Sequence, residues 1–257
     1  MSTIEEKRVY AGGERTTLYL AADLGVATVS VSGDIVGEFG VDVRCRALDV
    51  AGGDGLLAAA TDEDVLVGAS FEGTDFGPAR AVGVGADAVF AADESGDVHR
   101  YDGAWERLGA ADANRFDGAL VAGDDVYRAG ETLRALDCPV SPIIDVCDDD
   151  GDALAATADG LYRYDGEWAR ELAGDCRVVS AGGAFAAGPD ARDFWGYGTT
   201  GRWQRVDLPV EGRVADVVRT GEGTYAVTES GTVLANAGDG WRTRETGLGG
   251  VRALATA

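Results

Sequence analysis

The chain has 257 residues, enough for one large domain or two small ones with a substantial core. It carries 45 Asp plus Glu against 22 Lys plus Arg, a formal charge of −23, with Lys7 its only lysine and His99 its only histidine. That balance argues against a nucleic-acid partner, which needs clustered cations, and against an anionic membrane surface for the same reason.

Surplus carboxylates repel one another strongly in dilute buffer, where the Debye length is roughly 10 Å at 0.1 M salt. At molar salt it shrinks to about 3 Å, and the same surface is hydrated and soluble. Acid excess with lysine almost absent therefore predicts the cytosol of a salt-accumulating archaeon. An acidic disordered chain is excluded, because 46% of residues are hydrophobic and they run the whole length. The opening MSTIEEKRVY carries acids and no apolar run follows it, so no signal peptide is expected. Nor is there a run of 18 apolar residues, and the expectation is a cytoplasmic monomer.

Along the chain one phrase recurs: an apolar residue, small residues, then a turn. It appears as LYLAADLG (18–25), LLAAATDED (56–64), VFAADESG (89–96), ALVAGDD (119–125), ALAATADG (153–160), AFAAGPD (184–190) and TYAVTESG (224–231). Anchored on Leu20, Leu57, Phe90, Leu120, Leu154, Phe185 and Tyr225, the units average about 34 residues. Each reads as short strands broken by Gly, Pro and Asp, with no sustained helical period.

The longest copies, DVHRYDGAW (97–105) and GLYRYDGEW (160–168), place Asp-Gly in a tight hairpin, where Asp102-Gly103 and Asp165-Gly166 are expected to take positive φ. A tryptophan follows (Trp105, Trp168, and in looser copies Trp203 and Trp241), expected to pack between adjacent sheets. Four strands per unit and no helical layer predict an all-β single β-propeller spanning 1–257, with seven four-stranded blades. Six or eight blades, or two stacked sandwiches, are the alternatives. The ending VRALATA (251–257) matches the inner-strand segment RALDVAGG (46–53), so the C terminus is expected to close the ring, with KRVYAG (7–12) competing for that place.

The DG-W turns and GDGWRTRETGL (238–248) resemble degenerate Asp-box repeats of sialidase-like and photosystem-assembly propellers. The leading Ser/Thr is missing from three copies, and GTTGRW keeps Thr but lacks Asp, so no chemistry carries over. As a whole the chain resembles a haloarchaeal family of propeller proteins, which implies a fold and a compartment but no activity.

Aligning the units puts an arginine at the start of six inner strands: Arg46, Arg80, Arg115, Arg177, Arg213 and Arg252; the fifth unit offers Ser141-Pro142. These are the candidate binding residues, at one mouth of the central tunnel. Acidic loops surround them, including Asp62, Asp93, Asp124, Asp159, Asp190 and Glu229. Guanidinium forks match carboxylates, so the ring suits an anion or an acidic peptide. The competing reading is structural: each arginine pairs with an acid such as Asp49, Asp117 or Asp216 and stitches blades together.

Other signals point to structure. Asp148-Asp149-Asp150-Gly151-Asp152 lacks the final bidentate Glu of a calcium loop and aligns with hairpin turns. GVGADA (83–88) is followed by a strand rather than the helix a dinucleotide site needs. Cys45, Cys138, Cys147 and Cys176 have no CxxC spacing and read as small buried hydrophobes. His99 reads as a strand residue, and no catalytic residue, metal or cofactor is expected. The function expected is a non-catalytic scaffold for a protein partner. A glycosidase- or sialidase-like hydrolase, or a small-anion binder at the arginines, is the alternative.

Overall fold

The computed structural model describes residues 15–181, 184–188, 190–198 and 202–257. KRVYAG (7–12) lies outside them. Among the described residues there is no helix, and 28 strands form seven four-stranded antiparallel sheets.

Sheet 1 holds β1 (Arg15–Ala22), β2 (Gly25–Ser32) and β3 (Ile35–Val43). Sheet 2 holds β4 (Ala47–Gly53), β5 (Leu56–Thr61), β6 (Val65–Val67) and β7 (Glu72–Gly73). Sheet 3 holds β8 (Ala79–Val84), β9 (Val89–Asp93), β10 (Asp97–Tyr101) and β11 (Trp105–Ala110). Sheet 4 holds β12 (Arg115–Asp117), β13 (Leu120–Ala122), β14 (Val126–Ala129) and β15 (Leu133–Ala135). Sheet 5 holds β16 (Asp145–Asp149), β17 (Asp152–Ala156), β18 (Gly160–Tyr164) and β19 (Trp168–Ala173). Sheet 6 holds β20 (Cys176–Ser180), β21 (Ala184–Ala187), β22 (Asp193–Gly198) and β23 (Arg202–Val206). Sheet 7 holds β24 (Val214–Thr220), β25 (Gly223–Thr228), β26 (Thr232–Asn236) and β27 (Arg242–Glu245).

The fourth strand of sheet 1 comes from the far end of the chain: β28 (Ala253–Thr256) pairs antiparallel with β1, Leu20 opposite Leu254. The inner strands touch in a closed circle, β4–β8–β12–β16–β20–β24–β28 and back to β4. This is a β-propeller. At the β4–β28 contact only glycine fits, because a Cβ on Gly52 would run into the Thr256 carbonyl.

The repeated phrase has a simple physical cause. All seven anchor residues sit on the second strand of their sheet. Leu57, Ala58, Ala59 and Ala60 of β5, and Ala153 through Ala156 of β17, are buried, since each sheet is covered on both faces by its neighbours. Strands buried on both faces read as continuous apolar runs rather than alternation, and alanine keeps the sheets close. The outermost strands face water and are polar, as in RTRE of β27.

The tryptophans lie between sheets, as their repeated position predicts. Trp105 Nε1–H donates to Thr74 Oγ1 at 3.1 Å, Trp168 to the Leu136 carbonyl at 2.8 Å, and Trp203 to Glu171 Oε2 at 3.1 Å. Each partner belongs to the preceding unit, 31 or 32 residues back. Trp241 instead packs edge-to-face on Phe194 of sheet 6, ring centroids 5.5 Å apart.

The turns before Trp105 and Trp168 differ from expectation. Tyr101 pairs with Trp105 and Tyr164 with Trp168, so the loops have three residues, and only the glycines take positive φ, 112° at Gly103 and 120° at Gly166. The extra residue removes the need for a left-handed aspartate that a two-residue turn imposes. At Asp148–Asp152 the chain does turn, with Asp150 at φ 57° and Gly151 N–H donating to Asp148 Oδ1. Its acids meet arginines, Arg128 on Asp148 and Arg163 on Asp149 and Asp152.

Candidate functional site

Four inner strands carry an aspartate that joins its sheet to the next. Asp49 on β4 accepts from the Val50 N–H (3.0 Å) and, across the junction, from the Val82 N–H of β8 (3.0 Å). Asp145 on β16 accepts from Val146 (3.0 Å) and from Val179 of β20 (2.8 Å). Asp216 on β24 accepts from Val217 and from Leu254 of β28, both at 2.8 Å. Asp117 on β12 accepts from the Asp148 N–H of β16 at 2.7 Å. Inner strands converge at the axis without sharing a ladder, so their outward N–H groups need such acceptors.

Arg115 stands among these carboxylates. From β12 its Nη1 lies 3.2 Å from Asp49 Oδ1 and 4.0 Å from Asp216 Oδ2, while Nη2 donates to the Arg252 carbonyl at 2.8 Å. One side chain of sheet 4 thus touches sheets 1, 2 and 7. Burial opposes its charge, but Asp216, Asp49 and Asp145 outweigh that and raise its pKa. Burial pushes Asp49 up to about 6 and Asp145 up to about 7, against the pull of Arg115 and of the backbone donors. Burial also raises Asp216, and takes Asp117 to about 6.

Arg115 lines two cavities. One, of about 220 Å³, holds the four aspartates. The other, of about 490 Å³, is a vestibule walled by Arg177, Arg213 and Arg252 together with Glu229, over an apolar lining that includes Ile144 and Val251. Arg115 is the residue that the two linings share.

The six sequence-predicted arginines do not form one ring. Arg115 stands one level inside the others, because it sits opposite Ala122 while Asp49 and Asp145 hold the matching places opposite Ala60 and Ala156. Arg80 leaves the mouth, its Nη2 donating to Asp112 at 2.8 Å between sheets 3 and 4. Arg252 is engaged by Asp23 at 2.5 Å and by the Gly250 carbonyl at 2.6 Å. Arg46 is exposed, and its charge helps to lower the pKa of Asp23 after the stronger effect of Arg252. Arg177 and Arg213 face the vestibule with one acid each: Asp175 at 2.7 Å and Glu229 at 3.3 Å.

Two local registers occur among the other strand-start arginines, and neither decides the placement by itself, since each has one member lining the vestibule and one outside it. Arg80 and Arg177 are themselves the bulged residues of their strands, whereas Arg46 and Arg213 precede the bulge by two. A bulge re-aims a side chain, so equal spacing in sequence does not give equal placement. Sequence reasoning passed over Asp145, although the repeated Asp-Val pairs Asp49-Val50, Asp145-Val146 and Asp216-Val217 mark it. His99 places Nε2 3.2 Å from Asp93 Oδ2, as Tyr162 donates to Asp159, so both tie a strand to the turn before it.

No curated protein matches the chain. Among solved structures, the streptogramin B lyase structure is similar with a TM-score of 0.64 at 11% identity, over 89% of this chain and 87% of that one. The nidogen/laminin complex gives 0.58 at 10% identity, over 94% and 98%. YCF48 bound to D1 peptide gives 0.58 at 10%, over 91% and 86%. At such identities the likeness shows the fold alone. A family model of HVO_0234-like beta propellers matches residues 3–257, and the chain belongs to that family.

Proposed function

We propose that this protein is a non-catalytic binding module, seven-bladed when each sheet is counted as a blade, whose vestibule face docks a protein partner. The observation that carries this reading is Arg115 across the tunnel. It lines both the vestibule and the cavity of aspartates, whose carboxylates accept backbone donors from neighbouring strands. Both oxygens of Asp49, Asp145 and Asp216 accept backbone N–H donors and Asp117 accepts one, which supports a structural role for these carboxylates over that of nucleophile or general base. A glycosidase needs a pair of working carboxylates flanking its bond, and these are engaged in holding sheets together. Lyase and peptide-bound propellers both occur among the similar structures, so fold does not choose between catalysis and binding.

The setting we infer is a salt-rich archaeal cytosol, on the strength of the −23 charge and the single lysine. The test is affinity capture from native lysate in molar KCl, with a parallel bait carrying Arg46→Ala, Arg177→Ala and Arg213→Ala. A stoichiometric protein partner lost from the altered bait supports the module. Turnover of a glycoside or ester substrate that disappears with the same changes would replace it with a hydrolase.

A further inference from the structure

We propose that the vestibule is a carboxylate clamp, with Arg177 and Arg213 as its two jaws. This rests on the binding-module reading and gives that module's ligand a chemistry. The two arginines come from consecutive sheets and line the same cavity of about 490 Å³. Among the described residues each is held in place by one acid. Arg177 Nη2 meets Asp175 Oδ2 at 2.7 Å, and Arg213 Nη1 lies 3.3 Å from Glu229 Oε1. Neither pair is a closed, two-bond fork. Arg177 Nε is buried with no acceptor, and so is Asp175 Oδ1, which leaves that pair singly bonded where two bonds were possible. Both guanidinium groups remain partly open to the cavity, with side-chain exposures of 35% and 46%.

Arg80 also has one acid and an unpaired Nε, and what separates the pair from it is the cavity they line. Arg115 is consumed by an aspartate and a carbonyl of other sheets, Arg252 by Asp23 and the Gly250 carbonyl of its own, Arg80 by Asp112 outside the cavity, and Arg46 does not line the cavity. An arginine kept in orientation by one acid and still holding spare donors is pre-organised to take a second carboxylate in fork geometry. Val178, Val214 and Val251, with Ile144, give the cavity an apolar lining beside the cations. Apolar wall plus paired guanidinium suits an aliphatic carboxylate, where the chain packs and the head group is forked. The class is therefore a dicarboxylate, supplied either by adjacent Asp or Glu side chains of a partner segment or by a free small diacid.

Molar salt is the condition in which such a clamp discriminates. Long-range repulsion between an acidic ligand and a −23 protein is screened there, while short, partly desolvated forks persist.

The experiment is calorimetric titration of the full chain in molar KCl with three probes: a hexapeptide containing Asp-Glu, the same peptide with Asn-Gln, and succinate. The proteins are wild type, Arg177→Gln, Arg213→Gln, and Arg100→Gln as a control outside the cavity. Expected is binding of the acidic peptide or of succinate, with the Asn-Gln peptide silent, weakened at least about tenfold by either jaw change and unaltered in the control. Preference for the peptide names a partner segment as the source, and preference for succinate names a free diacid. Absence of binding by both acids, or binding indifferent to Arg177 and Arg213, overturns the clamp. A partner captured equally by wild type and by the jaw variants would keep the module and discard the clamp.

Discussion

Arg115 Nη1 lies 3.2 Å from Asp49 Oδ1 although 66 residues and one whole sheet separate them. No other described side chain joins so many inner strands, since the same guanidinium reaches the Arg252 carbonyl and approaches Asp216. The centre of the ring is thus held by one cation among three buried anions, and removing the cation exposes the anions to one another. Arg115→Ala is expected to cost about 3–5 kcal/mol, the range for breaking a buried ion pair from one side. Chemical denaturation measures it. A loss below about 1 kcal/mol would show that the aspartates hold the axis without Arg115.

The fold was more legible in the sequence than the site, for a physical reason. The apolar-Ala-Ala phrase reports burial on both faces, a condition every second strand meets, so Leu57 and Leu154 could be aligned by eye. The C-terminal VRALATA matched an inner strand because β28 has an inner strand's neighbours on both sides. The arginines share a spacing but not an environment. A one-residue bulge sends Arg80 towards Asp112, whereas Arg177, bulged in the same way, lines the vestibule. The spacing alone does not encode that outcome, because it depends on which acid stands within reach, Asp112 for Arg80 and Asp175 for Arg177. Asp145 was overlooked because among 45 acids its sequence context is ordinary, and only its Val179 partner distinguishes it.

Asp64, in the turn between β5 and β6, anchors the segment that leads from β7 to β8. Its two oxygens accept from the N–H groups of Val65, Thr74, Asp75, Phe76 and Gly77, at 2.8 to 3.3 Å. Burial opposes the charge, but these donors prevail and the pKa is lowered. Asp64→Ala should therefore cost about 2–4 kcal/mol, as several donors lose a charged acceptor together. Hydrogen exchange at Thr74 through Gly77 should rise with it. Unchanged protection there would mean that the loop is kept by Phe76 packing on Trp105 instead.

The salt response follows from the charge. With −23 distributed over a small ring, dilute buffer leaves repulsion unscreened, and exposed pairs such as Arg205–Asp193 are too weak to offset it. Thermal stability is expected to climb steeply from low salt to molar KCl, by roughly 10 °C or more given that about 1 kcal/mol moves Tm by 2–4 °C in a domain of this size. A Tm insensitive to salt would undo the halophilic reading.

The buried aspartates predict an unusual pH slope. Asp145 stands near 7 in the fold, with Asp49 and Asp117 near 6, against about 3.9 when unfolded. Between those values the folded chain binds protons that the unfolded chain has released. The stability these groups contribute is complete below about pH 4 and is lost as pH rises through 6 and 7. Asp23, Asp64, Asp93 and Asp159 act in the opposite sense, since their lowered pKa values confer stability above about pH 4 that disappears only in acid. The two sets occupy different windows, so Tm in molar KCl should peak near pH 4, decline as pH rises to about 7 and level off above it. Asp145→Asn tests the assignment. Its amide has one acceptor oxygen for the two N–H donors of Val146 and Val179, so the variant should be less stable at pH 5. It cannot ionise, so its decline from pH 5 to 8 should be shallower than that of the wild type. A variant that keeps the full wild-type slope would move the titrating group away from the axis, to the exposed acids of the surface.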